Sequence, residues 1–190
     1  MRIHSLFALL AAAGAEVGDS DGDITRTVPA SGAFSAAQRA LYEAVLESQE
    51  ALIASVRPGL DMGTLRDHAS RLLAERLVDL GVLGGPVDAV IERGAHRQYT
   101  LHGPSHWLGL DVHDVGAYRD NGVFRPFVPG MVLTIEPGLY IGAADETAPA
   151  ALRGLAVRIE DDVVVTAEGC RVLTRDVPVA PDAVTLLLGS

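Results

Sequence analysis

The hydrophobic pattern of this chain changes period once, near GVLGGP at 81–86. Before that stretch, apolar residues recur three and four positions apart over long segments. After it, the apolar runs are short, β-branched and stopped by Gly or Pro. A chain with this order has long helices first and several short strands later. The expected class is α+β, with helices covering one face of a curved antiparallel sheet.

The first helix opens at FSAAQ, with Ser35 as N-cap and Gln38 closing a capping box. Leu41, Val45, Leu52 and Val56 form its buried stripe, and Pro58-Gly59 ends it. A second helix runs from Met62 to Leu80, with Leu65, Ala69, Leu72, Leu73, Leu77 and Leu80 on one face. Asp61 precedes it and Gly81 follows. A short helix is expected at 86–92. Upstream, 6–13 reads as a strand, EVGDSDGD as an acidic turn and ITRTV as the next strand. Downstream, WLGLDV, MVLTIE, GLYI, LAVRIEDDVVVT and CRVL read as strands.

At 190 residues and 48% hydrophobic composition the chain can bury the core of one domain. Its formal charge of −10 argues against nucleic acid and against an anionic membrane surface as partners, and is compatible with bound divalent cations. Cys170 is the only cysteine, which excludes an intrachain disulfide and a thiolate zinc site and reads as an inert core thiol. A cytoplasmic location is expected. MRIHSLFALLAAAGA at the N-terminus reads as a buried strand, with a short signal peptide as the minority alternative. No stretch reaches the roughly 20 apolar residues of a membrane span.

Three of the six histidines fall in LHGPSHWLGLDVHDVG, at 102, 106 and 113. Gly103-Pro104 keeps this segment from being a helix. Taken alone, His102 and His113 read as turn or strand-end histidines, and His106 as a packing partner of Trp107. Four polar residues sit in or beside apolar strand runs: Asp23, His106, Glu136 and Glu160. A carboxylate inside a strand needs a partner, because an unpaired buried charge is costly. Glu160 alone reads as a solvated edge charge. Glu136 directly precedes the Pro137-Gly138 bend, which aims it off the strand end. Oxygen ligands with one imidazole suit Mn²⁺, Co²⁺ or Zn²⁺. DSDGD at 19–23 is not an EF-hand start, since Ile24 and Ala30 occupy the positions that need Gly and a bidentate Glu.

GDITRT, HGPSHWLGLDVHDVG, PGMVLTIEPGLYI and VRIEDDVVVT, in this order, resemble the catalytic domain of aminopeptidase P, the Xaa-Pro aminopeptidases. Prolidase, creatinase and methionine aminopeptidase are its relatives, and all share the pita-bread fold. The resemblance runs from residue 23 to about 175. It implies two divalent ions, Mn²⁺ foremost, held by two Asp, one His and two Glu. Here it assigns Asp23 and Glu160 as bridging ligands, with His106 and Glu136 completing the set. It further implies that His113 helps proton transfer and steadies the tetrahedral intermediate. His102 would lie near the substrate and the attacking water, and Arg158 would support the substrate site. The implied reaction is hydrolysis of the N-terminal Xaa-Pro bond of a peptide.

Two departures from the family pattern stand out. The first Asp ligand of the family lies eleven residues before the bridging Asp, and that position here is Ala12. Glu16, Asp19 and Asp21 are nearby but out of register. The family also carries more sequence before this point, so residues 1–22 read as a divergent or truncated segment. Residues 23–180 read as the catalytic domain and 181–190 as a tail. Apolar surface that the earlier elements would cover is then exposed and favours a homo-oligomer. Two functional readings follow: a metalloaminopeptidase of impaired activity, or a non-catalytic pita-bread module or gene fragment that binds peptides. A single-metal hydrolase is a third.

Overall fold

The computed structural model describes residues 9–16 and 21–186. A hairpin of β1 (Leu9–Glu16) and β2 (Asp21–Val28) comes first, and helices α1 (Ala36–Ser55), α2 (Met62–Asp79) and α3 (Val87–Glu92) follow. The remaining strands are β3 (Arg119–Asp120), β4 (Val123–Phe124), β5 (Val132–Ile135), β6 (Gly138–Tyr140), β7 (Ala156–Arg158), β8 (Asp161–Val165) and β9 (Cys170–Val172), and α4 (Pro181–Leu186) comes last. Among the described residues all strand pairings are antiparallel, in four small sheets: β1-β2, β3-β4, β5-β8-β9 and β6-β7.

Local chemistry explains the helices. Ser35 accepts from the Gln38 backbone N–H while the Gln38 side chain accepts from the Ser35 N–H, so the expected capping box is formed. Asp61 caps α2 through the Thr64 N–H at 2.9 Å. The expected stripe residues Leu41, Val45, Leu52 and Val56 are buried, as are Leu65, Ala69, Leu73 and Leu77. Leu72 and Leu80 lie at the edge of that face and are half-buried. These faces meet Leu139, Val157 and Ile159 on one side and Leu133, Ile135 and Val163 on the other.

The strand reading needs three corrections. WLGLDV is not a strand: only Trp107 bridges to Leu133, and the chain then turns back so that the Asp114 N–H reaches the Trp107 carbonyl at 3.2 Å. Gly109 permits this turn, since a Cβ there would stand 1.8 Å from Asp114 Oδ2. The run LAVRIEDDVVVT is split, because Ile159-Glu160 leaves one sheet for the other between β7 and β8. The β3-β4 hairpin was not expected. Its turn is Asn121-Gly122, both at positive φ, the residue pair that a tight hairpin favours. The expected strand at 6–13 lies partly outside the described residues, as do residues 17–20 of the EVGDSDGD turn at 16–23, whose Glu16 and Asp21–Asp23 belong to the paired strands β1 and β2 instead.

The hairpin β1-β2 is tied to the rest by β2 and β8. The Glu160 N–H donates to the Thr25 carbonyl at 3.0 Å. Behind it, Arg26 is 5% exposed, and its guanidinium donates to Asp161 Oδ1 at 2.8 Å and to the Glu160 carbonyl at 2.7 Å. Asp161 also accepts from Gln49 of α1 and from Thr174. Arg26→Ala is expected to cost about 3–5 kcal/mol in urea unfolding, because it strands Asp161 without its cation. Arg26→Met with Asp161→Leu is expected to recover only part of that loss: both charges leave together, but the Glu160 carbonyl, Gln49 and Thr174 lose their partners.

Candidate metal centre

Four segments of the chain converge in front of this buried pair. The His106 segment runs beside β5: the Thr134 N–H donates to the His106 carbonyl at 3.0 Å, and the Glu136 N–H to the Pro104 carbonyl at 2.8 Å. This pairing brings His106 and Glu136 side by side. Asp23 arrives from β2 and Glu160 from the link between β7 and β8. His106 Nε2 stands 3.4 Å from Glu136 Oε1, 3.6 Å from Asp23 Oδ2 and 3.9 Å from Glu160 Oε1. Ligand atoms of Asp23, His106 and Glu160 all lie within 4.8 Å of one another.

The protonation pattern of this cluster suits a cation. His106 Nδ1 lies 2.9 Å from the Trp107 carbonyl. A carbonyl only accepts, so Nδ1 carries the proton and Nε2 turns a bare lone pair toward three carboxylates. Burial, then the cation of Arg158 and the nearby His113, hold the His106 pKa below its ordinary value, so the imidazole stays neutral. Burial and the Glu160 charge push Glu136 up to about 8. Glu160 is 1% exposed, not a solvated edge charge, and burial raises its pKa too. Its Oε2 accepts from the Thr25 hydroxyl at 2.5 Å, whereas its buried Oε1 has no hydrogen-bond partner among the described residues. A lone pair facing several carboxyl oxygens, with only the proton held by Glu136 between them, fits a divalent ion that takes that proton's place.

The other expected residues line the same cleft. The His113 ring meets His106 edge-on at 4.4 Å. His102 donates from Nδ1 to the Gly103 carbonyl at 2.8 Å, and its Nε2 accepts from the Tyr140 hydroxyl at 2.6 Å. Arg158 donates to the Thr25 hydroxyl at 3.0 and 3.1 Å, and Thr25 in turn orients Glu160. Together these residues and Glu136 bound an open cavity of about 440 Å³.

Sequence reasoning missed Thr25, Tyr140 and Asp162. Asp162 is buried, and its Oδ2 accepts the Asp23 backbone N–H at 3.0 Å, which steadies the strand that presents Asp23. Its signal was visible, as three consecutive acids in the β-branched run IEDDVVV. Tyr140 had a signal only in hindsight of Gly138: a Cβ at Gly138 would press within 2.8 Å of the Tyr140 hydroxyl and 3.1 Å of His102 Nε2.

The family model of metallopeptidase family M24 matches residues 5–167. The chain belongs to metallopeptidase family M24. Among its relatives, Xaa-Pro aminopeptidase 1 of Streptomyces coelicolor is 51% identical over 163 residues, covering 85% of this chain and 33% of that protein. Xaa-Pro aminopeptidase of Escherichia coli is 47% identical over 176 residues, covering 93% of this chain and 40% of the relative. Among solved structures, Pseudomonas aeruginosa aminopeptidase PepP superposes with a TM-score of 0.92 at 44% identity, over 96% of this chain and 41% of that one. Zinc-substituted Escherichia coli aminopeptidase P in complex with product gives 0.89 at 46% identity, over 96% of this chain and 41% of that one. The fold is therefore that of a partial pita-bread domain, and this M24 chain spans about a third to two fifths of the length of these relatives.

The electrostatics of the M24 cluster set a pH dependence. Above pH 7 His102 and His106 are neutral in both folded and unfolded chains, since burial lowers them from 6.5. Glu136, at about 8, still holds a proton in the metal-free folded state that the unfolded chain has lost. Stability of the metal-free protein is thus expected to fall as pH rises from 7 toward and through 8. Thermal melts in chelator should show that slope, and saturating Mn²⁺ should flatten it, because a bound cation replaces the proton.

Proposed function

We propose that this chain is the metal-bearing part of an Xaa-Pro aminopeptidase-like hydrolase, with Asp23, His106, Glu136 and Glu160 as the metal ligands. The observation that carries this reading is the unprotonated His106 Nε2 facing three carboxylate oxygens at 3.4–3.9 Å. The substrate class is a peptide with proline in second position, as the names of the relatives suggest. Mn²⁺ is the proposed ion, with Co²⁺ or Zn²⁺ as substitutes, and the cytoplasm is the proposed compartment.

A divalent ion held there supplies Lewis acidity and brings the pKa of a coordinated water toward neutrality. The chain's own groups supply the rest. Glu136, 3.5 Å from His102 Nδ1, carries the proton between the attacking water and the leaving proline nitrogen. His113 donates to the oxygen on which negative charge develops. His102, held by the Tyr140 hydroxyl, contacts the peptide, and Arg158 holds Glu160 in line through Thr25 and supports the substrate.

Ala12 limits this machinery. It is the register partner of Thr25 in the β1-β2 ladder. Alanine offers no ligand atom where the family places its first aspartate, so about one tightly held ion per chain is expected. Ala12 also favours a second reading, peptide binding with little turnover. Metal analysis of purified protein beside hydrolysis of an Xaa-Pro peptide tests both. Wild type is expected to hold one tight ion and turn over slowly, and Ala12→Asp to raise stoichiometry toward two and activity at least tenfold, about 1.4 kcal/mol of barrier. Two tight ions in wild type, or a folded Ala12→Asp that changes neither quantity, would overturn the assignment of position 12. His106→Ala is expected to lose the tight ion altogether.

A further inference from the structure

A second cavity, of about 170 Å³, adjoins the metal cleft and shares Arg66, His102 and Gly103 with it. Its floor is apolar: Ala69 and Leu73 come from α2, and Pro104 and Pro137 from the two segments that deliver His106 and Glu136. One charged group lines it. Arg66, in the first turns of α2, is exposed and makes no hydrogen bond or ion pair among the described residues. By contrast Arg158, which lines the cleft, is engaged with Thr25 and Glu160, and Arg26 behind it with Asp161.

A short peptide is a dipolar ligand, with an ammonium at one end and a carboxylate at the other. The cleft offers groups for both charges: Glu136, with Asp23 and Glu160 beside His106, supplies the negative side, and Arg66 is the guanidinium of its lining without a partner among the described residues. The carboxylates attract the free N-terminus whose bond is cut, which leaves Arg66 for a negative group farther along the peptide. We infer that Arg66 is a specificity-determining residue that binds a carboxylate on the peptide beyond the proline, with the adjoining cavity taking the apolar part of that residue. This inference rests on the peptide-hydrolase reading of the cleft. The carboxylate is either the free C-terminus of a tripeptide or an acidic side chain, and arginine suits both, since its planar fork pairs with a carboxylate through two parallel bonds.

The test is calorimetric binding of the product-like peptides Pro-Ala, Pro-Ala-amide, Pro-Gln-amide and Pro-Glu-amide to the Mn²⁺-loaded chain. For wild type, a C-terminal reader binds Pro-Ala about 5–10-fold more tightly than Pro-Ala-amide, the scale of one partly exposed charge pair. A side-chain reader shows that preference for Pro-Glu-amide over Pro-Gln-amide. In either case the preference shrinks with added salt and disappears in Arg66→Gln, whereas Arg66→Lys keeps part of it. Arg66 has no partner to lose, so both variants are expected to melt like wild type. Equal binding of acid and amide peptides to wild type, or an unchanged preference in Arg66→Gln, overturns the role of Arg66 and leaves the peptide site standing. Failure of every peptide to bind overturns the peptide site and the Arg66 role together.

Discussion

Arg26 and Asp161, opposed at 2.8 Å and each almost fully buried, hold the site together from behind. Their pairing joins β2 to β8. Arg26 also takes the Thr25 and Glu160 carbonyls, and Asp161 takes Gln49 of α1 and Thr174. Such a pair tolerates burial only when its remaining donors and acceptors are satisfied, and here they are. It anchors the two strands on the side away from the cleft. Strand alternation then turns the neighbours of both residues, Thr25 and Glu160, toward the cleft.

On the cleft side the balance is reversed. Carboxylates and one imidazole face each other with few donors among them, and the carboxyls of Glu136, Glu160 and Asp162 are raised by burial and mutual repulsion. The satisfied network behind and the unsatisfied one in front are two faces of the same strands. The first supplies rigidity, and the second stores the electrostatic demand that a bound cation meets.

The cleft owes its width to turns rather than to strands. Gly109 lets the His106 segment fold back so that His113 returns against His106, and Gly138 leaves the room in which Tyr140 meets His102. The Arg66 cavity opens at the same place because α2 packs against the Pro104 and Pro137 segments there.

The sequence by itself determined the helices, their caps and their buried faces, because period and capping chemistry are local. It also singled out Asp23, His106, Glu136 and Glu160, since a polar side chain in an apolar run stands out before any folding is known. The resemblance marked Ala12 as well, at the position of the family's first aspartate. Only the tertiary structure decided that these four segments meet, that WLGLDV turns instead of pairing along its length, and that VRIEDD changes sheet at Glu160. Those outcomes depend on contacts more than a hundred residues apart, such as Thr25 with Glu160 and Arg26 with Asp161. Thr25 and Arg26 are ordinary members of a strand until such partners reach them, and Arg66 is one more solvated helix charge until His102 and Gly103 close beside it. Local pattern carries no information about which distant surface a side chain will face.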